Sequence, residues 1–546
     1  MAGAPFSTLR PYLVSMKLCM FIADALLKAA LLLTGAADAE SLDESVLVRL
    51  EVLQRHPLPL NRASRARLGA EGILTPYQLA SLEDYRRQYG DVLSLEELAL
   101  VDGFGKKWTE VMAPFLSLEP SLAPLQRDTL IWRQTALTNT DLKAVRAKYR
   151  IVSERLVSGA AGRLDYEGKH AWTVHGAWFL PQGKLVAGDF NARFGQGLSL
   201  WTGFRLGGLQ TPDAFQLKGG GIIPSWSVSG DGTIRGVAGE WTPGNWTMGI
   251  FAGGAPGNRY WQDLRYGGYG KRLWRSGDAG VLACRGPDGW RFSADATWHF
   301  RQTTWFGEAA ARLSEGTRAF AALGGCRIGV FDAHHLAFQL RAVPSRFSGK
   351  KNGEYALAVG YAARTFSLTA EYALLPQPEA DVSRRQVKAY GLWTLPLPNG
   401  WSVKLRAYER WRSYERNRLD FRGDIAWEVG EWTLRSRLNG VFCQKAGMLG
   451  FVEGGWKDAA WTLWLRGTLF HIDAWDDRIY LYEHDAPGNF TVPACYGRGG
   501  LLSLFVAWKH RFGRTVTLRS GLRAAGMLRA ERPFSPSLRL QIQAEW

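Results

Sequence analysis

The sequence predicts an α+β multidomain chain: a small all-α module followed by a large antiparallel transmembrane β-barrel. Three observations carry this. Residues 40 to 120 show helical spacing broken by glycine hairpins, and the chain from about residue 125 alternates apolar and polar side chains with period two. The last residues, "LRLQIQAEW", form one uninterrupted alternating strand that stops on an aromatic residue.

Size and composition agree with that reading. At 546 residues the chain exceeds one ordinary soluble domain, and Trp 24, Tyr 18 and Phe 26 beside Gly 62 suit many aromatic-rich strands. No charge-free apolar run reaches the roughly 18 to 20 residues a spanning helix needs. A membrane crossing therefore requires a closed barrel, the other form that satisfies its backbone in lipid.

Residues 1–39 read as an export signal. Lys17 precedes the apolar "ALLKAALLLTGAA", and Ala37-Asp38-Ala39 offers a small-x-small cleavage site before Glu40. Met16 is an alternative start, and Cys19 has no lipobox around it. The four cysteines beyond the signal, Cys284, Cys326, Cys443 and Cys495, are far apart and imply no metal site. Strand alternation sends His334 and His335 to opposite faces, which speaks against a metal there too.

Charge is divided along the chain. The whole carries +17; residues 40–120 hold nine Lys or Arg against thirteen Asp or Glu, and residues 1–39 contribute +1, which leaves +20 for residues 121–546. The module is acidic and the β region is basic.

In the module, "SLDESVLVRLEVLQRHP" predicts a short amphipathic helix, and four more helical segments follow to residue 115 or so. Asn61 and Ser94 read as N-caps, Glu97 completes a capping box with Ser94, and Gly90 ends the helix that carries Tyr85 and Tyr89. The stretches "LNRAS", "DYRRQYG", "LSLEEL" and "VDGFGKK" resemble the tandem helix-hairpin-helix domain of competence-type DNA receptors. The resemblance implies a phosphate-binding hairpin at Gly103, Phe104, Gly105, Lys106 and Lys107, where backbone N–H groups meet an anion at a helix N-terminus. The first hairpin, Gly72-Ile73-Leu74-Thr75-Pro76, matches only in part through Gly72, Ile73 and Thr75. Leu74 stands where a phosphate should approach, and a module of net −4 lacks the basic footprint of a DNA binder.

In the β region, Trp461, Leu463, Leu465 and Leu469 alternate with Thr462, Arg466 and Thr468, and "WTLRSRL" and "WSVKLRA" repeat the scheme. Short connections such as "LPNG" and "EVGE" mix with longer ones such as "LLPQPEADVSRRQ", the asymmetry of an outer-membrane barrel. About 420 residues at 9 to 11 per strand plus connections give roughly 14 to 20 strands. The +20 is expected on the lumen and loops, where it would attract anions. The stretches "GDFNARFGQGLSLWTGF" (188 to 204), "GGGIIPSWSVSGDGTIRGVA" (219 to 238) and "RIYLYEHDAPGNFTVPACYGRGG" (478 to 500) resemble exported helix-hairpin-helix proteins of Bacteroidota with a C-terminal β region. That resemblance implies architecture and compartment rather than an activity.

Catalytic and cofactor signatures are missing: no H-E-x-x-H, no G-x-S-x-G, no Walker loop. The glycines of "KGGG" (218 to 221) read as strand bends, and the cluster Tyr480, Tyr482, Glu483 and Asp485 reads as belt aromatics and loop acids. The expected protein is thus a non-enzymatic outer-membrane barrel with a periplasmic module, acting in transport or envelope assembly. A DNA-uptake component that receives nucleic acid at the hairpin is the alternative. Outer-membrane lipid is one implied partner, and DNA or an envelope protein the other.

Overall fold

The computed structural model describes residues 25–546 except 43, 121–129, 141–143, 154, 204–209, 227, 229–231, 257–261, 332–333, 378–381, 487–488, 490, 514–515 and 531. Met16, Lys17 and Cys19 of the expected signal lie outside the described residues.

Twenty-four antiparallel strands, from Leu130–Thr140 to Arg532–Glu545, close into one barrel. The last strand pairs with the first, with Leu540 opposite Asn139 and Glu545 opposite Gln134. The estimate of about 14 to 20 strands is corrected upward. It allotted too many residues to connections: on the rim that bears the chain termini every connection is two to four residues long. The opposite rim carries two long insertions, 194–233 and 473–496.

The alternation predicted from sequence sets the two faces. In Trp461–Ile472, Trp461, Leu463, Leu465 and Leu469 point outward and are exposed, whereas Arg466 and Thr468 point inward and are buried. In the last strand Leu538, Leu540 and Ile542 are exposed while Gln541, Gln543 and Glu545 are buried. An apolar exterior this continuous is stable only in contact with lipid or an apolar partner. Trp241, Trp246, Trp298, Trp305, Trp401, Trp432 and Trp461 all lie exposed near the terminus-bearing rim. That ring places amphipathic indoles where a membrane–water interface needs them.

The N-terminal module contains α1 (residues 25–34), α2 (Glu44–Arg55), α3 (Arg65–Ala70), α4 (Pro76–Tyr89), α5 (Leu95–Leu100) and α6 (Gly105–Met112). Leu50, Leu60, Leu82, Leu98, Met112 and Phe115 form its dry centre. Ser94 caps α5 by accepting from the Glu97 N–H, and Gly90, at φ +91°, ends α4. Thr75 and Gln78 form a reciprocal capping box on α4.

Asn61 is corrected: Ser64, not Asn61, caps α3. Asn61 is fully buried, where its side chain accepts from the Val92 N–H and donates to the Val92 and Leu118 carbonyls. It ties the start of the module to its end. A buried amide with no such partners would cost about 1 to 3 kcal/mol.

The module sits on the terminus-bearing rim. Arg65 donates to the Gly244 carbonyl (2.7 Å) and Thr247 (3.1 Å), and the Tyr77 hydroxyl donates to the Arg275 carbonyl (3.0 Å) while its ring stacks on His299.

If the outer face contacts lipid, Leu438→Arg, at an exposed mid-strand position, should destabilise the barrel by about 2 to 4 kcal/mol. Denaturant titration in phospholipid vesicles reads this directly.

Candidate functional site

A barrel of this size encloses more space than its own wall side chains can fill. Three stretches of the chain occupy it. The first is part of the connection from α1 to α2, residues 35–42, here called the strap. Thr211 Oγ1 donates to the Gly35 carbonyl (2.8 Å), the Ala37 N–H donates to Gln210 Oε1 (3.0 Å), and Lys404 Nζ donates to the Ala37 carbonyl (3.0 Å). Asp38 pairs with Arg406, and Glu40 accepts from Arg437 (2.6 Å) and Arg422 (3.1 Å). Asp424 on the wall accepts from both Arg422 (2.6 Å) and Arg437 (2.5 Å).

The second stretch is the insertion after Gly183–Arg193, within which Phe194 to Ser199 wraps one wall carboxylate. Glu308 accepts the N–H groups of Gln196 (2.7 Å), Leu198 (3.0 Å) and Ser199 (3.2 Å). Gly195 adopts φ +57°, and a Cβ there would stand 2.7 Å from a Glu308 oxygen. This accounts for the glycines of "FGQGLS" as a cradle for a carboxylate of the chain itself. Further along, Phe215 packs on Phe306, Leu323, Ala337 and Ala358, and Asp213 pairs with Arg327 (3.1 Å) and His335 (3.6 Å). Gly221, at φ +68°, begins the short inner strand Gly221–Pro224, so the "KGGG" glycines do mark a bend.

The third is the insertion 473–496. Glu483 pairs with Arg523, Asp485 with Arg539, and His484 with Glu453 (3.2 Å), while the His484 ring lies flat on Trp464 at 3.8 Å. Burial lowers the His484 pKa against the pull of Glu453, so the ring is neutral near pH 7. Tyr482, Glu483 and Asp485 are thereby anchors of an inserted loop; Tyr480 is exposed beside it.

These pairings revise the expected electrostatics. The basic lumen is met by carboxylates of the wall and of the inserted stretches: Arg341 with Glu354 and Glu371, Lys271 with Asp278 and Asp295, Arg466 with Glu453. An unpaired charge in so enclosed a space would be costly, and these cations are met by acids.

The hairpin residues divide. Gly103 (φ +87°) lies against Tyr77, and Phe104 is buried edge-on against Trp108 at 5.1 Å. Gly105 (φ +70°) faces open space, and Lys106 and Lys107 are exposed. In the first turn Ile73 and Leu74 are both 3 % exposed, so Leu74 points into the module core rather than toward an incoming phosphate. What covers that turn is Arg49 and Ile223, both against Gly72. His334 and His335 share no ligand geometry: His334 meets Tyr361 and His335 meets Asp213.

Sequence reasoning missed the strap and its arginines. The signal was present in the inward positions of "WSVKLRA" and "WTLRSRL", but nothing local pointed to Asp38 and Glu40 some 370 residues earlier as their partners.

Fold and lumen together define a class: a closed antiparallel barrel of twenty-four strands whose interior is occupied by its own chain, with a helical module on one rim. No family model and no curated protein matches the chain. Among solved structures it is similar to the translocation pore of the P pilus usher PapC, at 11% identity over 76% of this chain and 98% of that one, TM-score 0.33. It is also similar to the siderophore receptor PirA from Pseudomonas aeruginosa (10% identity, 77% and 81% of the two chains, TM-score 0.40) and to OccD1 (OprD) (9%, 76% and 93%, 0.31).

Burial raises the Glu40 pKa, but Arg422 and Arg437 outweigh it and hold the carboxyl well below its ordinary 4.5. A depressed folded pKa contributes stability that is present above the unfolded value and is lost as pH falls through the folded one. The strap should therefore stay seated from neutral pH down to about pH 5 and loosen only in stronger acid. Limited proteolysis of the strap across pH checks this; release between pH 7 and 6 would contradict it.

Proposed function

We propose that this chain is a non-enzymatic outer-membrane barrel that acts in transport or envelope assembly, with its helical module on the periplasmic side. The observation that carries the reading is a closed barrel whose lumen holds inserted segments through ion pairs with the wall, such as Glu40 with Arg422 and Arg437. Ion pairs of this kind exchange partners without unfolding the wall, which is what a conduit that must open requires. The apolar exterior, the tryptophan ring and the expected export signal over residues 1–39 support the compartment. Short connections on the terminus-bearing rim support the orientation. The glycine turns at Gly72 and Gly103 to Gly105 support a tandem helix-hairpin-helix module that docks on the mouth.

Planar bilayers test the reading with the full-length protein. The native chain should give no steady conductance, and Glu40→Lys, which sets the strap against Arg422 and Arg437, should give discrete openings. Open native channels, or a variant as silent as the native protein, would overturn it. Heat-modifiable migration on gels verifies that the variant barrel has folded.

A second reading, DNA reception at the hairpin, is favoured by one observation: Gly105 opens to solvent beside the exposed Lys106 and Lys107. Under it, the full-length protein binds duplex or single-stranded DNA with an affinity that falls steeply with salt, and Lys106→Glu with Lys107→Glu abolishes binding. No binding at low salt would remove this reading.

A further inference from the structure

Across most of the lumen the wall supplies its own counter-charges. Arg466 faces Glu453, Arg435 faces Glu428, and Lys271 faces Asp278 and Asp295. One inner face breaks this rule. On the three neighbouring strands Trp401–Arg412, Arg418–Val429 and Trp432–Phe442, Arg406 stands directly opposite Arg422, and Asp424 is flanked by Lys404 on one side and Arg437 on the other. Of these four cations Arg422 and Arg437 pair with Asp424, which also stands opposite Lys404. Like charges directly opposite on adjacent strands destabilise a sheet, so this face is unfavourable unless acids arrive from elsewhere.

They arrive from the strap. Asp38 lies against Arg406 and Arg422, Glu40 bridges Arg422 and Arg437, and Lys404 holds the Ala37 carbonyl between them. Asp38 (φ −149°, ψ 168°) leads into a single 3-10 turn, Ala39–Ser41, and its carboxylate and that of Glu40, two residues on, meet the same wall face. The contacts are those of an acidic segment on an arginine-rich surface: two carboxylates two residues apart, and a main-chain carbonyl that accepts from a lysine. The same surface borders a cavity of about 870 Å³ that runs past Asp38, Glu40, Lys404 and Arg437 to Lys457, Trp508 and Trp546 at the terminus-bearing rim. A chain entering at that rim has a route to the arginines.

We propose that Lys404, Arg406, Arg422 and Arg437 form a binding site for an acidic peptide segment with carboxylates two residues apart, and that the strap is its resident occupant. The proposal rests on the transport reading and names the class of cargo it would recognise. Cleavage before Glu40, as Ala37-Asp38-Ala39 predicts, would carry Asp38 away and vacate the Arg406 half of the site, so that export processing would itself prime the protein for cargo.

The test uses the full chain in detergent and a fluorescent peptide of the strap's own sequence, Gly-Ala-Ala-Asp-Ala-Glu-Ser. Asp38→Asn with Glu40→Gln weakens the resident strap while keeping its shape, and this variant should bind the peptide at least ten-fold more tightly than the native chain. Binding should weaken as salt rises, vanish for a peptide carrying Asn and Gln in place of its acids, and be lost when Arg406→Gln and Arg437→Gln are added. No binding to the weakened-strap variant, or binding indifferent to the peptide's charge, would overturn the proposal. Citrate that displaces the peptide at equal concentration would overturn the peptide assignment in favour of small polycarboxylates. Because the bilayer conductance experiment is independent of peptide binding, failure here leaves the transport reading standing.

Discussion

The rest of this structure follows from the width of its barrel. Closure of twenty-four strands satisfies every strand edge but leaves a lumen that wall side chains cannot pack by themselves. A soluble sandwich of the same length would bury its inner faces against each other. Here the interior has to be filled by chain that is not wall, and the inserted stretches and the strap supply it. Each arrives with groups that match what it meets: backbone N–H groups for Glu308, Phe215 for the apolar patch at Phe306, acids for the arginines.

That constraint also explains where the charges went. A net +20 over residues 121–546 would be self-repelling if it faced an empty channel. Instead much of it is satisfied locally, by wall acids or by Glu483 and Asp485 of the second long insertion. The acidic strap and the basic wall are two halves of one electrostatic unit, although they stand hundreds of residues apart in the chain. Ionic contacts fix such a unit in register while leaving it exchangeable, whereas the apolar packing of Phe190, Ile222 and Ile234 on the other side of the lumen does not release a segment piecemeal.

The helical module is positioned by the same logic. Its α4 and α3 abut the short connections of one rim through Tyr77 and Arg65, and the strap passes from it into the lumen. The hairpin at Gly103 to Lys107 stays on the outside of this arrangement with its lysines in solvent, while the first hairpin is consumed in docking against Ile223. One turn is packed and the other faces solvent.

Read from the sequence alone, the fold was largely legible. Period-two alternation in stretches such as Trp461 to Leu469 and Leu538 to Trp546 fixes which side chains face out, because a strand has only two faces and only one of them tolerates lipid. The helix start at Ser94 and the stop at Gly90 are likewise local chemistry, though Asn61 shows its limit: a capping residue type was diverted to a buried bridge by partners at Val92 and Leu118. Strand number was misjudged because it depends on how few residues the turns consume. Only the tertiary structure decided that the lumen is filled, that Leu74 faces inward, and that Asp38 and Glu40 complete Arg406, Arg422 and Arg437. Periodicity reports the face on which a residue lies; it carries no information about which distant segment comes to face it, since that is set by closure of the barrel and by the search of buried charges for partners.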